Sequence, residues 1–212
     1  GRIVSLESHS GRIPGKAYNV IGRKGDEKAP RIAITAHIDA KKGIPGAIDN
    51  ATGVIVLLLL SDLLRDYDGE RFIEIVALNG EDYYAVPGQM SYLESNRNNF
   101  ANFLLNINID GAGYREGPSS FSLFDLPDAI LQHTKRVIEG YEGITEGIQW
   151  VQGDHSIFLQ CGVPAIAVSS KWLIDNMTDQ DITHTPKDNP GIVDCSKVVE
   201  IAGALNTLVR SI

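Results

Sequence analysis

The sequence predicts an α/β fold, a β-sheet with helices packed on both faces. Three observations predict it. Short runs rich in β-branched and aromatic residues alternate with longer helical stretches, the order that builds layered α/β proteins. Polar residues able to bind or react recur just past the C-terminal ends of the strands, where open α/β sheets place their sites. The chain has 212 residues, 43% of them hydrophobic, enough for one sizeable core and a single domain over 1–212.

In chain order, residues 17–21 read as a first strand, ended by Gly22-Arg23-Lys24-Gly25. Residues 32–36 form the next, with His37 and Asp39 at its C-terminal end, on one face if the chain stays extended. Pro45-Gly46 marks a turn. Asp49 or Asn50 caps a helix over 52–65. Its centre, residues 54–60, is apolar on every side, which predicts packing on more than one face. Residues 72–78 are a buried strand, followed at once by Gly80-Glu81-Asp82. A helix begins at Pro87 or Gly88 and runs to Glu94. Residues 104–109 are a strand with Asp110 at its end, 120–124 another strand, and 128–139 a helix behind Pro127. Gly153-Asp154-His155 opens a helix to Cys161, 164–168 is a short buried strand, and 171–183 reads as irregular loop. Asp194 caps a closing amphipathic helix to Val209.

Composition narrows the partners. The net charge is −8 and no block of Lys or Arg stands out, which argues against nucleic acid and anionic membrane. The longest apolar run, residues 54–60, is too short to span a bilayer. No basic-then-apolar signal opens the sequence, so the cytoplasm is the expected compartment. The first residue is Gly rather than Met, so an N-terminal part is expected to have been trimmed, and secretion is the alternative if that part held a signal. Cys161 and Cys195 are too few for a disulfide framework and are expected to be small buried hydrophobes. Oligomeric state is not legible.

The chemistry lies in a set rather than in any one residue. Alone, Asp49 reads as a helix cap, Glu81-Asp82 as solvated loop acids and His184 as a surface histidine. Asp110 is different, because a carboxylate behind the apolar strand LLNINI is costly to bury unless paired or coordinated. Asp39 beside His37 can accept the second ring N–H and fix the tautomer. Imidazoles and carboxylates together suit Zn²⁺, with Co²⁺ or Mn²⁺ as alternatives. Five ligands, His37, Asp49, Asp82, Asp110 and His184, exceed what one tetrahedral zinc with an open position uses. They fit two ions about 3.5–4 Å apart sharing a carboxylate. Glu81 is then left over as a general base.

The segments AHIDA, PGAIDNATG, NGED, NINIDGAG, GDHSIFLQCGVPAIAV and THTPKD, in this order, resemble those of the M28 family of co-catalytic zinc aminopeptidases. They lie within residues 31 to 188. The resemblance implies a mixed, twisted sheet of about eight strands flanked by helices on both faces, of the zinc-peptidase, phosphorylase/hydrolase-like type. It also implies a peptide substrate with a free N-terminus. Residue by residue, His37 and Asp110 resemble the ligands of one zinc, Asp82 and His184 those of the other, and Asp49 the bridge. Asp39 resembles the acid that orients His37, and Glu81 the base that activates a metal-bridging hydroxide. Asp154 and His155 match a segment near the active site in relatives. With Tyr83 they are candidate substrate contacts; a cap on the helix to Cys161 is the alternative for Asp154-His155.

There are departures. Asp82 stands where Glu is commoner. Thr183 stands where several relatives carry an oxyanion-stabilising Tyr, a role left to Tyr83, Tyr84 or metal. The substrate pocket is expected from loops 83–88, 113–119 and 171–181. The alternative enzyme of the same fold is a glutaminyl cyclase, with one zinc on Asp49, Asp82 and His184 and with Glu81 as proton shuttle. The short loop after Asp82 and the lack of a Trp before His184 count against it. A non-catalytic receptor or adaptor domain is a second alternative, opposed by the full ligand set, and a carboxypeptidase or amidohydrolase is a third.

Overall fold

The computed structural model describes residues 3–9, 11, 15–83 and 87–212. Among these, seven strands form one mixed sheet in the order β1-β3-β2-β4-β7-β5-β6. The strands are β1 (Val20–Lys24), β2 (Arg31–His37), β3 (Phe72–Leu78), β4 (Phe103–Ile109), β5 (Ser119–Phe124), β6 (Ile144–Gly147) and β7 (Ala165–Ser170). The central strands β3, β2, β4 and β7 run parallel, so His37 and Asp110 leave the sheet at the same rim. β1 is antiparallel to β3 and β5 to β7, while β6 runs parallel to β5.

Alternation along β2 divides the core. Ile32, Ile34 and Ala36 pack against α1 (Thr52–Leu63), α3 (Asp128–Glu139) and α6 (Cys195–Ser211). Ala33 faces the other side, with Val76 and Leu78, towards Tyr92 of α2 (Pro87–Asn96) and Phe158 of α4 (His155–Gln160). α5 (Lys171–Asp175) sits beyond the end of β7. No helix among the described residues is long and apolar enough to cross a membrane.

The mixed sheet flanked by helices is as expected, with seven strands among the described residues against about eight. The differences lie in single elements, where several expectations are corrected. β1 runs over Val20–Lys24, not 17–21, because Arg23 pairs with Glu74 in the register and its Nε donates to the buried Glu74 carboxylate at 2.8 Å. That cross-strand pair draws into the strand residues that read as its terminator. The short strand β6 was not anticipated, since Ile144 is its one buried residue. The loop over 171–183 begins with α5. The apolar α1 buries only one side: Val56, Leu57 and Leu60 are in the core, while Ile55 and Leu58 are exposed. Cys161 and Cys195 are exposed thiols, not core residues.

Candidate metal centre

His37 closes β2 with its side chain 1% exposed. Its Nδ1 lies 3.0 Å from the carbonyl oxygen of Asp39. A carbonyl only accepts, so Nδ1 carries a proton, and when the ring is neutral it turns a bare Nε2 lone pair inward. That Nε2 has no hydrogen-bond partner among the described residues. Yet Asp49 Oδ1 lies 3.0 Å from it and Asp110 Oδ1 3.6 Å. A lone pair and two carboxylate oxygens facing one another repel unless a cation or a proton joins them.

Asp49 reaches this point through the kinked turn Ala47–Ala51, in which Asp49 and Asn50 are not helical and which leads into α1. The fully buried Asp188 holds the turn. Its carboxylate accepts the N–H groups of Ile48 at 2.6 Å and Asp49 at 3.1 Å. Asn50 donates to the Ile109 carbonyl at 2.8 Å and accepts from Gly53 N–H at 3.1 Å, tying the start of α1 to the end of β4. The cap is therefore Asn50, which leaves the Asp49 carboxylate free. Its Oδ2 faces a second imidazole, His184, at 3.2 Å.

Glu81 and Asp82 follow β3 after Gly80, whose φ of +95° a residue with a side chain rarely adopts. The Asp39 carboxylate holds this turn, accepting from the N–H groups of Gly80 at 2.7 Å, Glu81 at 3.2 Å and Asp82 at 3.2 Å. The expected carboxylate–imidazole hydrogen bond is replaced: Asp39 Oδ1 is 3.8 Å from His37 Nδ1, and the backbone carbonyl serves instead. Three convergent N–H donors are the physical reason, since they take both carboxylate oxygens. Asp82 is 2% exposed, and neither of its oxygens has a hydrogen bond among the described residues. Its Oδ1 lies 2.8 Å from His184 Nε2, a contact without hydrogen-bond geometry.

Two groups of donors thus converge, His37–Asp49–Asp110 and Asp49–Asp82–His184, each with ligand atoms within 4.8 Å of one another. They share Asp49, one oxygen towards each histidine. A third grouping, His37–Asp39–Asp82, is weaker because the Asp39 carboxylate is taken up by backbone N–H groups. The donor set and the buried atoms without partners fit divalent cations of the zinc type.

Without a cation, protons neutralise the cluster. Burial, then the nearby Asp110, push the Glu81 carboxyl up to about 8. Burial, then Asp49, raise Asp82. Burial opposes charge on His37, but Asp110, Asp39 and Asp49 outweigh it and hold the imidazole well above its ordinary value. Each group is raised relative to the unfolded chain. The stability each contributes is present at low pH and is lost as pH rises through the folded value. Cation-free protein should therefore melt at least about 3 °C lower at pH 8 than at pH 5.5, the shift for roughly 1 kcal/mol in a chain of this size. Bound zinc should reverse the trend, because its ligands must be deprotonated. Melting curves in chelator test this; a melting temperature that climbs from pH 5.5 to 8 contradicts it.

The cluster floors an open cavity of about 470 Å³. Trp150, Leu173, Ile174 and Met177 give it an apolar side, and none of its lining residues is Lys or Arg. Thr183 lines it too, its hydroxyl accepting from Gln180 Nε2 at 2.6 Å. The three expected substrate contacts are not in the lining. Asp154 is buried beneath it, with one oxygen bound by Gln89 Nε2 and the other without a partner, and burial pushes its carboxyl up to about 7. It makes no side-chain cap on α4 either. His155 is fully buried between Trp150 and Phe124, with Nε2 2.8 Å from the Trp150 carbonyl oxygen. Tyr83 is half exposed beneath the Lys41 ammonium. Tyr84 lies outside the described residues. Gly153, next to Asp154, does reach the site: a Cβ there would lie 3.2 Å from Asp110 Oδ2.

Sequence reasoning missed Asp188 and Gln89. Asp188 stands four residues after His184, ahead of Asn189-Pro190, and reads there as an ordinary turn former. Nothing in the sequence shows that it reaches back 140 residues to Ile48.

Known proteins share this fold. The structure superimposes on BSAP, a zinc aminopeptidase from Bacillus subtilis, with a TM-score of 0.76 at 20% identity, over 90% of this chain and 49% of that one. The Legionella pneumophila aminopeptidase LapA gives 0.76 at 20%, over 91% and 54%. A leucine aminopeptidase precursor from Bacteroides thetaiotaomicron gives 0.72 at 21%, over 91% and 76%. At such identities the likeness shows the fold. The chain spans about half the length of the first of these structures. Nicalin from Caenorhabditis elegans is 38% identical over 79 residues, covering 32% of this chain and 14% of nicalin. The profile of peptidase family M28 matches residues 19–209. With that match running through both donor groups and the whole sheet, the chain belongs to peptidase family M28.

Proposed function

We propose that this chain is the catalytic part of a metallo-aminopeptidase that holds two zinc ions and hydrolyses the N-terminal bond of peptides. The observation that carries the reading is the Asp49 carboxylate, whose two oxygens face two different imidazoles, His37 at 3.0 Å and His184 at 3.2 Å. His37 and Asp110 would hold one ion, Asp82 and His184 the other, and Asp49 would contribute to both. The name of the Bacillus subtilis neighbour supports zinc. Such a pair of ions, when bound, supplies Lewis acidity and brings the pKa of a shared water towards about 7.

The protein groups do the rest. Glu81 stands at the cavity without being needed as a ligand. As general base it takes a proton from the attacking water and passes it to the leaving amine nitrogen. With cations bound at Asp110 and Asp49, the repulsion that helps hold the Glu81 proton would be offset, freeing Glu81 to act as base. Asp39 fixes the turn that presents Glu81, and Asp188 fixes the bridge. None of the cavity's lining residues is a Lys or Arg that would pair with a terminal carboxylate, which supports the amino end of a peptide rather than its carboxyl end.

Hydrolysis of aminoacyl-anilides with and without chelator tests the reading, with N-acetylated substrates as the control. Chelator-sensitive cleavage of free amino termini alone is the expected result. Equal cleavage of blocked substrates points to another hydrolase. One zinc per chain with cyclisation of N-terminal glutamine points to the glutaminyl cyclase.

A further inference from the structure

Lys197, in the first turn of α6, sets its ammonium against three backbone carbonyls of one loop. Nζ donates to Tyr114 at 2.9 Å, Arg115 at 2.7 Å and Gly117 at 2.6 Å. An ammonium has three N–H donors, and all are used on a segment of four residues. Gly117, at φ +68°, takes a backbone conformation in this loop that favours glycine.

The clamped loop is the one that leaves Asp110, and it leads to the cavity wall. Tyr114 N–H donates to Ser170 Oγ at 2.9 Å, at the start of α5. Lys171 N–H, the first of α5, donates to the Pro118 carbonyl at 3.0 Å. The Tyr114 ring packs on Trp172 at 5.0 Å. Tyr114 also shares a buried apolar cluster with Leu173, Ile48 and Ile182. Leu173, Ile174 and Met177 are the apolar wall. A short helix of five residues has little stability of its own, so its place depends on what it packs against.

We infer that Lys197 is a positioning residue for that wall: by holding the 114–117 loop it sets the affinity for substrates whose first side chain is large and apolar. The inference rests on the aminopeptidase reading for its substrate. The ammonium touches no reacting atom and no candidate ligand, so its loss should act on binding rather than on turnover.

The test compares Lys197→Met, which keeps the stem and removes the donors, with the unaltered protein on leucine and alanine anilides. Zinc content and melting temperature are recorded alongside. The expected result is a KM for the leucine anilide raised about tenfold, the order of one charge-assisted contact, with kcat and zinc content unchanged and the alanine KM nearly so. With Trp150→Phe as background, Lys197→Met should also red-shift the emission of Trp172 as its packing loosens. Equal rises in KM for both anilides, or a loss of zinc, overturn the inference, as does an unchanged KM with unchanged Trp172 emission. If the unaltered protein cleaves neither anilide, the aminopeptidase reading fails, and the Trp172 emission still decides whether Lys197 holds the wall. Should Lys197→Met not fold, Lys197→Arg gives the same readings, since a planar guanidinium cannot aim three donors at this set of carbonyls.

Discussion

Glu81→Gln should leave a folded protein that still binds two zinc ions and has lost turnover by a factor of roughly 10²–10⁴, the usual contribution of a positioned general base. The amide has almost the shape of the carboxyl. It removes the proton acceptor without opening a void or touching the two donor groups, His37–Asp49–Asp110 and Asp49–Asp82–His184. The loss should fall on kcat, because the proton moves only in the transition state. The substitution also removes a group that burial and Asp110 push up to about 8 in the cation-free protein. Zinc affinity should therefore hold or fall slightly at neutral pH, since bound cations favour an ionised carboxylate that the amide cannot supply. Near-normal turnover in Glu81→Gln would refute its role as base, and loss of zinc would show it to be a ligand. Metal analysis beside steady-state kinetics separates the two.

Asp49→Ala should have the larger effect on metal content. Asp49 belongs to both donor groups, whereas Asp110 and His184 belong to one each. Removing the shared carboxylate leaves His37–Asp110 and Asp82–His184, two donors apiece, and neither pair makes a stable zinc site. Zinc content should fall from two towards none and activity should vanish. Asp110→Ala removes a donor from one group only and should retain about one ion. The contrast matters more than either result. If Asp49→Ala keeps one ion while Asp110→Ala loses both, the shared position has been assigned to the wrong residue. Equilibrium dialysis at fixed free zinc measures both.

Much of this centre was legible because parallel strands place their C-terminal ends at one rim. Once 32–36, 72–78 and 104–109 read as strands, His37, Glu81-Asp82 and Asp110 had to emerge near one another. In the structure His37 Nε2 lies 3.6 Å from Asp110 Oδ1. What sequence could not supply was the choice between equivalent partners. Asp39 lies two residues from His37 and reads as its partner, but three N–H groups some forty residues on compete for its carboxylate and win. Asp49 and Asn50 were equal candidates for the cap until the Asn50 amide found the Ile109 carbonyl. Asp154 and His155 belong to a segment near the site, yet their side chains turn under the floor, where Gln89 and the Trp150 carbonyl satisfy one polar atom of each.

The fold shows the same division. Strands buried on both faces announced themselves by composition. β1 did not, because its place is fixed by a salt bridge between Arg23 and the buried Glu74 rather than by its own apolar pattern. β6 and α5 escaped for a similar reason. Four and five residues long, they are too short for periodicity to register, and they exist by pairing with β5 and by packing on the clamped 114–117 loop. Cys161 and Cys195 show the limit of residue-type averages: cysteine is usually buried, but each of these sits at a helix end that faces solvent.

The most direct measurement is anomalous diffraction at the zinc edge from crystals grown with zinc. Two peaks are predicted, one among His37, Asp49 and Asp110 and one among Asp49, Asp82 and His184, with a different oxygen of Asp49 turned to each. A single peak, or peaks that leave Asp49 uncoordinated, would contradict the shared-carboxylate centre.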